Sequence, residues 1–116
     1  MNPVFQKLLQ QPASIRPFVQ WYNTQYPNGL AIFQDLPFSH QIGVYLEYFE
    51  TIYHISITVS TKGYGIYFSD DRAIPLYNEN NLTYNHYRFN HNEPKSIIYG
   101  YELGIQWLFK NYDLPF

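Results

Sequence analysis

His54-Ile55-Ser56-Ile57-Thr58-Val59-Ser60-Thr61-Lys62-Gly63-Tyr64-Gly65-Ile66-Tyr67-Phe68 is the stretch on which the fold turns. Up to Ser60 it alternates strictly, with Ile55, Ile57 and Val59 on one side and small polar residues on the other, the pattern of a strand with one wet face. Thr61-Lys62-Gly63 is a tight-turn signal, and Tyr64 to Phe68 continues as the partner strand. Residues 54–68 therefore predict a β-hairpin whose apolar side must be covered.

The cover is expected downstream. Glu93-Pro94 opens a segment in which Ile97, Ile98, Tyr101, Ile105, Leu108 and Tyr112 recur at three- and four-residue steps. Lys95, Tyr99, Glu102, Gln106 and Lys110 fall on the opposite face, so this is an amphipathic helix whose natural seat is the greasy side of the hairpin.

Upstream, Ser39 to Tyr53 fits two periods. Ile42, Tyr45, Leu46, Phe49 and Tyr53 make a helical stripe with Ser39 as cap and Glu47 and Glu50 outward, while Ile42, Val44, Leu46 and Tyr48 alternate like a strand face. The length and the lack of turn residues inside favour the helix. Pro3 to Gln11 predicts a short helix ending at Pro12. Ser14 serves as cap for a second, with Ile15, Phe18, Val19, Tyr22 and Tyr26 on one face until Pro27-Asn28-Gly29 ends it. Leu30 to Phe33 reads as a short strand broken by Asp35-Leu36-Pro37. Ser69 to Asn92 is polar, asparagine-rich and irregular, with a third strand available in Leu82 to Phe89. The expected fold is α+β in one domain spanning 1–116: N-terminal helices, a small antiparallel sheet built on the 54–68 hairpin, and a C-terminal amphipathic helix packed on the sheet.

Composition narrows the function classes. Aromatic residues make up 21% of the chain, with 13 Tyr, 9 Phe and 2 Trp, enough to build a ring-rich core; any surplus left outside makes an adhesive face. Only 14% of residues are charged and the net charge is −2, with Lys7, Arg16, Lys62, Arg72, Arg88, Lys95 and Lys110 scattered. A general grip on nucleic acid would call for more basic residues, clustered. The absence of cysteine removes disulfides, thiolate nucleophiles and Cys-ligated zinc. No secretory pattern opens the chain and no apolar run is long enough to span a bilayer, so a cytoplasmic protein is expected, in the host cell if phage-encoded.

Chemical motifs are sparse. His86 and His91, with Asp70 or Asp71, are the metal candidates, but their spacing fits no standard ligand set, and neither a metal nor a cofactor is expected. Adjacent Asp70 and Asp71 suit turn chemistry better than acid–base work, and Glu47 and Glu50 suit a solvated helix side. No phosphate loop, dinucleotide fingerprint, nucleophile elbow or zinc-protease motif is present, so an enzyme ranks last. Tyr64, Tyr67, Tyr84, Tyr87, Arg72 and Arg88 have the residue types of a single-strand stacking surface, an alternative held back by the acidic balance.

Between Leu36 and Ile57, the residues Gln41, Gly43, Val44, Tyr45, Tyr48 and Phe49, followed by the hairpin and the helix from Pro94, resemble a segment of many small phage and prophage accessory proteins. Those show a Gln-x-Gly-Val-Tyr-x-x-Phe-Phe-like core and often a glycine before the strand, where Thr51-Ile52-Tyr53 stands here. The similarity covers about half the chain and implies origin and architecture rather than activity. It raises the expectation of a non-enzymatic, anti-CRISPR-like inhibitor that blocks a host defence protein by steric occlusion, with an immunity protein against a cognate toxin as an alternative. The expected partner face comprises Tyr67, Asp70, Asp71, Arg72, Tyr77, Asn81, Tyr84, His86, Tyr87 and Arg88, tyrosines anchoring and asparagines serving the rim. The expected partner is a protein, with nucleic acid ranked below it, a second copy of the chain a further candidate and no membrane involved.

Overall fold

A computed structural model of the chain describes residues 2–10, 15–68, 82–83 and 86–111. Helices α1 (Pro3–Leu9), α2 (Arg16–Gln25), α3 (Leu30–Phe33) and α4 (Phe38–Tyr53) precede strands β1 (Ile55–Ser60), β2 (Gly63–Phe68), β3 (Leu82–Thr83) and β4 (His86–Asn90); α5 (Ile97–Asn111) closes the order. The strands form one antiparallel sheet in the order β1-β2-β4-β3. The fold is α+β, with α5 packed on the sheet.

The hairpin forms as its alternation predicts. Ser60 pairs with Gly63 across a turn of Thr61 and Lys62, and Ile55 pairs with Phe68 at the far end. Ile55 and Ile57 are buried while Ser56, Thr58 and Ser60 are exposed. The turn is tied to the chain that follows the sheet: the Lys62 carbonyl accepts from the His91 amide at 2.7 Å, and the Thr61 carbonyl from the Lys95 amide at 2.8 Å.

The ambiguous segment is a helix, α4, and its helical stripe is the buried one: Ile42, Tyr45 and Phe49 lie in the core, joined by Gln41 and Tyr48. Its N-cap is Pro37, so Ser39 lies inside the first turn instead of capping it. At the other end His54 takes the left-handed conformation, φ 58°, that a glycine adopts most cheaply, and so turns the helix into β1.

Leu30–Phe33 is a helical turn, not a strand. The Gly29 carbonyl accepts from the Ile32 and Phe33 amides at 3.2 and 3.0 Å, which closes the turn locally, and none of the described strands pairs with the segment. The proposed cap Ser14 lies outside the described residues; Ile15 precedes the first residue of α2 and makes no side-chain cap bond. The last helix starts at Ile97, later than Glu93-Pro94, because the Ser96 hydroxyl caps it, accepting from the Tyr99 amide at 3.0 Å, while the Lys95 amide is engaged by the hairpin turn. The segment expected to be irregular contains β3 and β4, and β4 pairs with β2 along five consecutive residues, so the hairpin does gain a third strand.

Aromatic residues fill the core. Phe18 of α2 meets Trp21, Tyr22, Phe33, Tyr45, Tyr48 and Phe109, all with ring centroids 5.1–6.0 Å away, and thereby joins α2, α3, α4 and α5. Helix α5 lies close on the sheet because Gly100 and Gly104 face it: a Cβ on Gly100 would strike Val59, and one on Gly104 would strike Ile57. Tyr64 and Phe89 stack at 4.9 Å on this inner side, and Trp107 of α5 lies 5.5 Å from Phe89.

Candidate functional site

On the other side of the sheet no described helix or strand packs. Strand register sets cross-strand rows there: Ser56, Tyr67 and His86; Thr58, Gly65 and Arg88; Ser60, Gly63 and Asn90. Two glycines at alternate positions of the central strand β2 leave a lane without side chains, a trough of about 340 Å³ lined by residues including Thr58, Ser60, Tyr67, Arg88 and Asn90. The ring of Tyr67 lies across Gly65, its Cε2 only 2.8 Å from where a Cβ would stand. Gly63 is needed for a different reason: a Cβ there would collide with the Phe89 carbonyl of β4, so the glycine permits β2 and β4 to pair. Its role is close approach, since no glycine among the described residues has positive φ.

The trough offers hydroxyls from Thr58 and Ser60, a carboxamide from Asn90 and an exposed guanidinium from Arg88, and among the described residues no carboxylate lines it. Such a surface accepts polar groups from several directions and favours those bearing negative charge.

Of the residues expected to bind a partner, Tyr67 and Arg88 line this trough. His86 pairs with Tyr67 in the ladder and Tyr87 with Ile66. Asp70, Asp71, Arg72, Tyr77, Asn81 and Tyr84 lie outside the described residues. Tyr64, the other stacking candidate, is on the inner side, and burial together with neighbouring Tyr99 pushes its hydroxyl pKa up to about 12. Thr58, Ser60, Gly63, Gly65 and Asn90 were not singled out by sequence. Their signal is the pairing of two period-two patterns, polar residues on β1 and glycines on β2, which lines up only once the hairpin register is known.

Elsewhere, His91 has its Nε2 buried without a hydrogen-bond partner among the described residues and its ring 5.5 Å from Tyr99. Among the described residues no three His, Asp or Glu side chains converge as metal ligands do, and no helix is long and apolar enough to cross a membrane. No protein-family model, no curated protein and no solved structure matches the chain.

Proposed function

We propose that this chain is a non-enzymatic protein-binding module that acts by occlusion, laying the glycine-floored open face of its sheet against a folded partner. The observation that carries this is the trough itself: a sheet face on which no described helix packs, with a tyrosine and an arginine, residue types that dominate interface energetics, set among small hydrogen-bonding side chains. Arg88 directs the choice toward a partner whose contact surface bears carboxylates. The similarity of the 36–57 segment to phage accessory proteins supports a host defence protein as the target, with a toxin as the neighbouring option.

The double variant Tyr67→Ala, Arg88→Ala tests this. Both changes are outside the core, so the melting temperature should stay near that of the parent chain. Quantitative affinity capture from the host should lose the partner by at least roughly tenfold, the effect of removing one strong anchor. Undiminished capture by a folded double variant, or capture abolished by nuclease treatment, would exclude the proposal.

A further inference from the structure

Strand β1 is the outermost strand of the sheet, and its six residues run beside β2 without a bulge. Every second residue of such a strand turns its amide and carbonyl away from the sheet. Natural edges are usually blunted by lysine, proline, a bulge or a covering segment. Ile-Ser-Ile-Thr-Val-Ser has no charge and no proline, and no described residue hydrogen-bonds to its outer side.

Beside this edge runs a cleft of about 70 Å³ between β1 and α4, lined by Leu46, Phe49, Glu50, Ile55, Ser56, Ile57 and Leu108. The depth is apolar, with Phe49, Ile55 and Leu108 almost fully buried, and it has room for one small aliphatic side chain. The rim is acidic: Glu50 lines the cleft and is exposed, and α4 and β1 contain no lysine or arginine to balance it.

We infer that β1 and α4 form a strand-addition groove for an extended segment of a partner protein, one that carries an aliphatic residue for the cleft and a lysine or arginine opposite Glu50. Main-chain hydrogen bonds to β1 supply affinity, the cleft reads one side chain, and the acidic rim reads the charge. This surface is distinct from the open face, which lies on the other side of the β1 ribbon from α4, so the two proposals stand or fall separately.

The test selects binders of the full chain from a library of randomised peptides about a dozen residues long. The expected consensus alternates aliphatic with other residues and includes one Lys or Arg. Hydrogen exchange of the outward-facing β1 amides, every second one of Ile55–Ser60, should slow when a selected peptide is added. Glu50→Gln should weaken that peptide about two- to fivefold, the effect of an exposed ion pair, and repeating the selection on Glu50→Lys should replace the basic preference with Asp or Glu. Binding should survive Tyr67→Ala, Arg88→Ala. Three results would overturn the inference: no enriched consensus; protection that maps to Tyr67 and Arg88 instead of β1; or outward-facing β1 amides already protected in the chain alone alongside concentration-dependent dimerisation, which would give the edge to a second copy.

Discussion

Gln41 has no exposed surface, and the core tolerates it because both ends of its amide are matched. Nε2 donates to the Phe33 carbonyl at 2.6 Å, and Oε1 accepts from the Tyr45 hydroxyl at 3.1 Å. Replacing Gln41 with Leu leaves the Tyr45 hydroxyl without this acceptor and leaves the Phe33 carbonyl with the Leu36 amide, 3.1 Å away, as its remaining donor. Chemical denaturation should then show a loss of about 1–3 kcal/mol, more than Tyr45→Phe, which removes one partner of one bond. Burial raises the hydroxyl pKa of Tyr45 and takes that of Tyr64 to about 12. A phenol whose pKa is higher folded than unfolded keeps its proton longer in the native state. Its contribution is complete below the unfolded value near 10 and declines as pH climbs through the folded value. Stability should therefore hold up to about pH 10 and fall between there and pH 12. Tyr64→Phe should flatten part of that alkaline decline, followed by melts at stepped pH. Tyrosine count alone predicted a ring-rich core; which rings are buried depended on the helical stripe at Tyr45 and Phe49 and the inner-face register of Tyr64, and only the first of these was legible in the sequence.

Among the elements, the glycines of the two long helices separate two effects that sequence alone leaves together. Gly43 of α4 has open space where a Cβ would go, so Gly43→Ala should stabilise by up to about 1 kcal/mol, the helix-propensity gain. Gly104 of α5 sits against Ile57, and Gly104→Ala should instead destabilise by about 1–3 kcal/mol because the helix must lift from the sheet. Thermal melts of the two variants should shift in opposite directions. The hairpin and the two amphipathic helices were legible because each repeats one period over many residues. Leu30 to Phe33 was not, since four apolar residues suit either structure and the hydrogen bonds to the Gly29 carbonyl decide it. Helix starts are hard to read for a related reason: Ser39 looks like a cap but lies inside the first turn of α4, while Ser96, the working cap of α5, follows Pro94, itself a residue that suits a helix start. The left-handed turn at His54 had no signal, because nothing local marks a histidine for that conformation. The open-face trough depends on β4 lying beside β2, a pairing between residues far apart in sequence.

For the molecule as a whole, Phe18 is the contact common to helices from both ends of the chain. Phe18→Ala should cost about 3–5 kcal/mol, visible as a lower denaturation midpoint and weakened near-ultraviolet dichroism, because the cavity opens among rings that no single element can close. Phe109 and Leu108, which finish that cluster, belong to α5, whereas most of the other rings belong to helices that precede the sheet. During synthesis on the ribosome those early rings must wait for the last helix before their shared interior can shut. Until α5 emerges, the nascent polypeptide therefore presents apolar ring surface that its earlier helices cannot bury among themselves.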